Sequence, residues 1–160
     1  MLSNNHFTLL IFLIPIFLCS NCIDNVTDSS LDNLKVEFIE GYILANLMPI
    51  VLPDPIFSHL KIVIENQHSS HTFESLTVKY GYVVLNSTNS ILGKIEFNSN
   101  WDGILEPSDI DTVELDKVFE SEKLFDPPCG QEVYLKIKIH CDCGASKHHE
   151  TDLLVFGCIY

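Results

Sequence analysis

The feature that most constrains this chain is a strict alternation of apolar and polar residues in several short segments. In LKIVIEN, residues 60–66, an apolar side chain recurs at every second position. The segment EVYLKIKIH, residues 132–140, repeats the pattern over a longer run. A period of two places successive side chains on opposite faces of a strand, whereas a helix needs a period near 3.6. The chain is therefore predicted to consist mainly of β-strands with one buried face each.

Further β-rich segments extend this pattern along the chain, namely SLTVKYGYVVLN, ILGKIEF, IDTVEL and TDLLVFGCIY. Turn-forming sequences such as LPDP, NSTNS, NSNWDG and FDPPCG separate them. Residues 36–52 are predicted to form one long or two short strands, and only VELDKVFESEKLF offers a helical alternative. Strands with turn signals about every 8–12 residues indicate an antiparallel sandwich or a small barrel.

The segment from Leu60 to Leu115 resembles the Ig-like sandwich modules of exported proteins. The resemblance lies in the order of a strand, an EN turn, a further strand, ILGKIEF and an LEPSD corner. It implies an all-β fold, an antiparallel β-sandwich of about 7–8 strands. With 160 residues there is room for one such domain, which we place at residues 34–160.

The charge balance narrows the classes of partner. The formal net charge is -13, and all 9 basic residues are lysines, so the chain contains no arginine. Nucleic-acid binding needs a positive face toward the phosphates, and this composition excludes it. Charged partners are expected to be cations or basic proteins.

The N-terminus has the pattern of an export signal. An apolar run from Phe7 to Leu18 is followed by small polar residues and a cysteine. As a helix this run would measure ~18 Å at ~1.5 Å per residue, short of the ~30 Å hydrocarbon core of a bilayer. We therefore predict a cleaved signal peptide at residues 1–21.

The sequence FLCSNC, followed by IDNVTDSSLDN, resembles the lipobox and tether of bacterial lipoproteins. The resemblance implies that Cys22 becomes the first mature residue and carries the lipid, with residues 22–33 as a flexible tether. Cys19 is the alternative attachment residue. An ordinary signal-peptidase site would instead release a secreted protein, and the sequons at Asn25 and Asn86 would then be glycosylation acceptors in a eukaryote.

Four cysteines lie beyond this region, at Cys129, Cys141, Cys143 and Cys158. If the last two strands form a regular hairpin with GASK near its tip, Cys158 falls near Val133. At ~3.3 Å per residue it is then roughly 26 Å from Cys141, whereas a disulfide needs Cα atoms within ~7 Å. Cys129, just before the hairpin, is the predicted disulfide partner of Cys158. The closed loop of about 30 residues would contribute roughly 3–4 kcal/mol.

The same hairpin would place Cys143 opposite His148 and Cys141 opposite Glu150. Two thiolates and two imidazoles, with His149 as the fourth ligand, suit tetrahedral Zn²⁺, and a thiolate pair suits Cu⁺. Adjacent histidines on a strand point to opposite faces, so one joins the cysteines more easily than the other. Three interpretations stay open: a metal site, a disulfide between the two neighbouring cysteines, and a polar tip with reactive or intermolecularly paired cysteines.

A calcium site is a weaker alternative in NSNWDGILEPSD, which resembles the beginning of an EF-hand loop. Its oxygen ligands would be Asn98, Asn100, Asp102 and Asp109. Pro107 lies inside the loop and the flanks are predicted strands, so we interpret the segment as an acidic turn. The acidic residues at positions 109–116 alternate with apolar ones, which is typical of the wet face of a strand.

No catalytic residues are predicted. The chain lacks a G-x-S-x-G elbow, a phosphate-binding loop and an H-E-x-x-H motif, and a Cys143–His148 pair would have no third orienting group. The sequence thus predicts a non-enzymatic, exported, lipid-anchored protein of the cell envelope. It would act as a binding or structural module that contacts the membrane through its lipid and binds a protein partner. The alternative is an exported protein that binds Zn or Cu at its C-terminal Cys/His tip.

Overall fold

The computed structural model describes residues 31–47, 56–117 and 126–160. In these ranges the chain forms β1 (Leu34–Asn46), β2 (Ile56–Asn66), β3 (Leu76–Leu85), β4 (Ser90–Asn98), β5 (Ile110–Lys117), β6 (Glu132–Cys141), β7 (Ser146–Glu150) and β8 (Leu154–Ile159).

The predicted all-β fold is confirmed. The predicted signal peptide, Cys22 and most of the tether lie outside the described residues, as does part of the segment with a helical alternative. No helix in the described ranges is both long enough and apolar enough to cross a bilayer.

The strands close into a seven-stranded barrel, so the predicted open Ig-like sandwich is wrong. The order around the barrel is β3-β4-β5-β2-β1-β8-β6, and a further pairing between β3 and β6 completes the ring. The short β7 is added to the edge of β6 beside β8. All pairings are antiparallel except that of β1 with β8, which run parallel over Ile43–Asn46.

The error has a simple physical cause. Period-two alternation shows that each strand has one buried face, but both a sandwich and a barrel satisfy that condition. Closure depends on the pairing of β3 with β6, which joins residues such as Leu76 and Cys141 that are 65 positions apart. A pattern confined to a few residues carries no information about such a distant pairing.

The alternation itself predicts the core correctly. Along β2, the inward side chains are buried and the outward ones are half-exposed, without interruption. Leu60, Ile62 and Ile64 have no exposed surface, and the inward residues of β6 from Val133 to Ile139 are equally buried. Each such side chain contributes about 1.5–3 kcal/mol through burial. The closed sheet therefore has one continuous apolar interior.

Asn66 ends β2 inside this core and fixes two loops from there. Its side chain is fully buried, and Nδ2 donates hydrogen bonds to the carbonyl oxygens of His71, Leu105 and Glu106 at 2.7, 3.1 and 3.0 Å. Its Oδ1 accepts the N–H of His68 at 2.9 Å. A buried amide bonded at four points holds the segments before β3 and before β5 in a fixed relation, because separating them would leave the buried side chain of Asn66 without its hydrogen-bond partners.

The segment that follows β4 is attached to the beginning of β3. The N–H of Leu76 donates to the carbonyl of Gly103 at 2.9 Å, and Phe73 and Leu105 exchange a pair of backbone hydrogen bonds. Consequently β4 pairs with β5 only through Phe97 and Asn98, after which the chain diverges from β5. This divergence leaves space between the two segments.

A second opening in the barrel lies between β7 and the first half of β1. Among the described residues, no strand pairs with this side of β1 from Leu34 to Tyr42. The gap is bridged by a side chain, since Lys147 Nζ donates hydrogen bonds to the carbonyl oxygens of Leu31 and Leu34. An ammonium group that satisfies two carbonyl groups replaces part of the missing backbone ladder.

We expect Gly103→Ala to destabilise the protein more than Gly144→Ala does. Both glycines have positive φ, +78° and +93°, and so share the backbone strain of about 1–2 kcal/mol that a side chain meets there. A Cβ at Gly103 would also lie 2.3 Å from the carbonyl oxygen of Leu76, whereas nothing lies within 4 Å at Gly144. The excess loss of unfolding free energy should be about 2 kcal/mol or more.

Urea denaturation of the two variants beside the wild type measures this difference. Equal destabilisation by the two substitutions would contradict the close attachment of Gly103 to the beginning of β3.

Candidate functional site

An acidic cleft occupies the space where β4 and β5 diverge. Its volume is about 520 Å³, and its walls are the edge of β5 from Asp111 to Asp116, the segment from Asn98 to Asp102, and Lys61 of β2. Four carboxylates line it together with a single lysine. The cleft therefore combines an open volume with a net negative charge, which suits a positively charged ligand.

One wall of the cleft is an open strand edge. Among the described residues, β5 pairs with β2 from Ile110 to Asp116, but on its other side only Asp116 and Lys117 pair with β4. Backbone groups of an antiparallel strand point alternately to its two neighbours. The carbonyl of Asp109 accepts the N–H of Asn66 in β2, so odd-numbered residues face β2. Even-numbered residues, Thr112 and Glu114 among them, direct their N–H and C=O groups toward the cleft.

Two aspartates cover part of this edge. Asp109 Oδ1 accepts the N–H of Ile110 at 3.0 Å, and Asp111 Oδ1 accepts the N–H of Thr112 at 2.7 Å. Each carboxylate thus binds the backbone of the next residue, a local contact that occupies an edge donor. The backbone of Glu114 is the next position along the edge that faces the cleft.

The outer rim of the cleft carries a row of polar side chains across three strands. His59 Nδ1 lies 2.8 Å from Asp116 Oδ1, and the ring of Tyr42 stacks on His59 with centroids 5.8 Å apart. The side chain of Asp116 is 65% exposed, and that of His59 is 28% exposed. Lys61 Nζ approaches Glu114 Oε1 at 3.9 Å. Since these contacts are largely solvent-exposed, they contribute little to stability and leave the carboxylates accessible to a ligand.

Trp101 forms part of the opposite wall. It is half-buried, packs against the core, and its backbone N–H donates to the hydroxyl of Ser99 at 3.1 Å. Its indole Nε1 is buried and has no hydrogen-bond acceptor among the described residues. A buried donor without an acceptor is uncommon and is satisfied when an acceptor enters beside it. The tryptophan also offers an apolar surface inside an otherwise polar cleft.

Three of the four residues considered for calcium line the cleft, and the fourth does not. Asn98, Asn100 and Asp102 line the cleft, whereas Asp109 does not. Asp102 Oδ1 accepts the N–H of Ile104 at 3.0 Å, and Asp109 caps Ile110 as described above. The carboxylates of Asp102 and Asp109 thus bind backbone in their own turns.

The register predicted for the C-terminal hairpin is wrong. His148 lies opposite Lys138, and His149 lies opposite Ile137. The turn is tighter than predicted. The N–H of Cys141 donates to the carbonyl of Ala145, so the strands already pair at these two residues. Sequence patterning failed here because the hydrophobic alternation ends before the turn and leaves the position of the turn undetermined.

The four residues considered for Zn or Cu are consequently not assembled. Cys141 lies at the end of β6, four residues beyond Ile137, the partner of His149, which corresponds to about 13 Å along the strand. In the described ranges, no three His, Cys, Asp or Glu side chains are grouped as a metal site would require. Cys141 and Cys143 instead lie together, with Cα atoms 5.0 Å apart, at disulfide distance.

His149 has a different environment from its neighbour. The side chain of His148 is exposed, whereas Nε2 of His149 is buried and has no partner among the described residues. Burial lowers the pKa of His149, an effect that Lys147 reinforces and that Asp152 and Glu150 oppose. Burial therefore favours the neutral form of this imidazole.

Cys129 and Cys158 meet at the other end of β6. Their Cα atoms are 5.6 Å apart, at disulfide distance, and the pair fastens β8 to the segment that enters β6. Backbone hydrogen bonds from Gly130 to Phe156 and from Phe156 to Gln131 support the same contact. Two cysteine pairs at this distance indicate an oxidising environment, as found for exported proteins.

Sequence reasoning missed the cleft. It assigns the acidic residues of β5 to the wet face of a strand and does not consider His59. The alternation of acids in β5 was a visible signal, but nothing local indicated that one edge of this strand is open. That property arises from the attachment of Gly103 to the beginning of β3.

The two cysteine pairs should differ in their contribution to stability. Replacing Cys129 and Cys158 by serine opens a loop with a sequence separation of 29 residues, and the chain-entropy model gives a loss of about 3–4 kcal/mol. Replacing Cys141 and Cys143 opens a loop of two residues' separation, for which the same model gives about 1–2 kcal/mol. Thermal unfolding of both double variants compares the two losses. A larger loss from the C141S/C143S variant would contradict the expectation that the Cys129–Cys158 pair contributes more to stability.

No protein-family model and no curated protein matches the chain. Among solved structures, it is similar to a family 123 glycoside hydrolase from Clostridium perfringens, studied for glycolipid glycan hydrolysis. The identity is 11% and the TM-score is 0.41. The similarity covers 79% of this chain but 28% of the hydrolase, so the chain spans well under half of that protein. A likeness at this level assigns no activity to the chain.

Proposed function

We propose that the protein is an exported, non-enzymatic binding module whose acidic cleft takes a positively charged ligand. The observation that carries the proposal is the cleft itself, where four carboxylates and a single lysine line an open strand edge. The composition agrees with it, because a net charge of -13 without any arginine favours cationic partners. Acidic walls also concentrate cations near the cleft and accelerate their association.

Attachment to the cell envelope completes the proposal. The lipobox-like FLCSNC would place a lipid on Cys22, and the polar residues that follow would serve as a short tether. This tether is shorter than residues 22–33, because Leu31 is buried in the core of the barrel. The folded domain would then present its cleft near the membrane surface while remaining outside it. The cysteine pairs at disulfide distance support an exported location for the domain.

A binding role accounts for the chemistry of the cleft better than a catalytic role does. The His59–Asp116 pair is the arrangement closest to an acid–base device. Within the described part of the chain, His59 makes its side-chain hydrogen bond to Asp116 and none to a hydroxyl or thiol that it could activate. Six of the eleven lining residues carry carboxylates or amides, which provide charge and hydrogen-bond acceptors for recognition.

The proposal predicts that the cationic peptide acetyl-KVKVK-amide binds and that its acidic counterpart acetyl-EVEVE-amide does not. Isothermal titration at about 20 mM salt measures both, and affinity should fall as salt screens the exposed charges. The double substitution Asp111→Asn and Glu114→Gln should weaken binding about tenfold, since each of these two charges lines the cleft and would contribute about 0.5–1 kcal/mol of attraction to a cationic ligand.

A matched control removes the same two charges elsewhere, through Glu40→Gln and Asp142→Asn, which are exposed and outside the cleft. Its affinity should stay within about twofold of the wild type. Equal weakening by the two double variants would show that overall charge, and not the cleft, holds the peptide.

A further inference from the structure

We propose that the ligand of the cleft is an extended, basic polypeptide segment that pairs with β5 as an additional antiparallel strand. This inference rests on the proposed function, because it specifies the ligand of the same cleft. Its basis is that the wall of the cleft is a strand edge with backbone groups directed into the space. An extended chain added to such an edge gains backbone hydrogen bonds that a compact cation cannot form.

The available backbone groups define where the segment binds. The N–H groups of Ile110 and Thr112 are held by Asp109 and Asp111. The C=O of Thr112 and both backbone groups of Glu114 face the cleft, and β4 resumes the ladder at Asp116. The docked segment is therefore short and centred on Glu114, between the capped end of the edge and the point where β4 begins to pair.

The side chains along β5 define what the segment must carry. Residues directly opposite each other in an antiparallel pair place their side chains on the same face of the sheet. The positions opposite Thr112 and Glu114 therefore lie on the outer face, where the carboxylates of Glu114 and the neighbouring Asp116 favour lysine or arginine. The intervening positions lie on the same face as the buried Val113 and within reach of the wall that contains Trp101, which favours apolar side chains. The recognised pattern alternates basic and apolar residues.

The same charges exclude a competing occupant. Open strand edges promote pairing between identical chains, and charged side chains at the edge prevent it. Two copies of β5 placed edge to edge would bring Glu114 and Asp116 against their own counterparts, and like charges opposite each other are destabilising. A basic strand meets no such repulsion. The edge is thus closed to a second copy and open to a cationic partner.

Backbone methylation of acetyl-KVKVK-amide tests the strand pairing. In the proposed register, the lysine N–H groups point to β5 and the valine N–H groups point away from it. One peptide is methylated at the backbone nitrogens of two lysines, the central and the C-terminal one, and the other at the backbone nitrogens of its two valines, so that charge and composition are the same. We expect the lysine-methylated peptide to bind at least about tenfold more weakly than the unmodified one, and the valine-methylated peptide within about threefold, because only the first loses hydrogen bonds to the edge.

The outcomes separate this inference from the proposed function. If the unmodified peptide binds and the two methylated peptides have equal affinity, the cleft takes a cation without pairing and the strand proposal is overturned. If the unmodified peptide does not bind at all, the proposed function itself fails. A selective loss on lysine methylation, which persists at lower overall affinity in the Asp111→Asn and Glu114→Gln variant because its backbone edge is unchanged, supports pairing at β5.

Discussion

The backbone pairing between β3 and β6 is the interaction on which the rest of the structure depends. It closes the ring of seven strands, so that the apolar faces of these strands enclose one common core. It also fixes the beginning of β3, where Leu76 binds Gly103 and Phe73 binds Leu105. The segment after β4 is thereby drawn toward β3 and away from β5. The open edge of β5, and the cleft along it, follow from the closure of the barrel.

Local patterning predicted the parts of the fold that depend on neighbouring residues. The buried positions of β2 and β6 follow from alternation, because burial of one face is the condition under which each strand is stable. Cys129 and Cys158 lie at disulfide distance, although Leu154 and not Cys158 lies opposite Val133. Closure into a barrel, and the hairpin register that separates Cys141 from His149, depend on pairings that no local pattern specifies.

The candidate site likewise depends on contacts between distant parts of the chain. Asp111 and Glu114 could be assigned to a polar strand face from their spacing, yet Asp111 binds the edge backbone and Glu114 faces the cleft. No sequence pattern indicates the structural role of Asn66, although its four hydrogen bonds hold together the loops before β3 and β5. The chemistry of these side chains is readable from the sequence, but their roles come from the tertiary contacts of adjacent loops.

The most direct test of the open edge is amide hydrogen exchange in the free protein, resolved at Val113 and Glu114. The N–H of Val113 faces β2 within the ladder, whereas that of Glu114 faces the cleft. The account predicts that Glu114 exchanges at least about a hundredfold faster than Val113, because a ladder amide needs local opening to exchange. Equal protection of the two amides would show that the edge is already paired, and it would contradict the account.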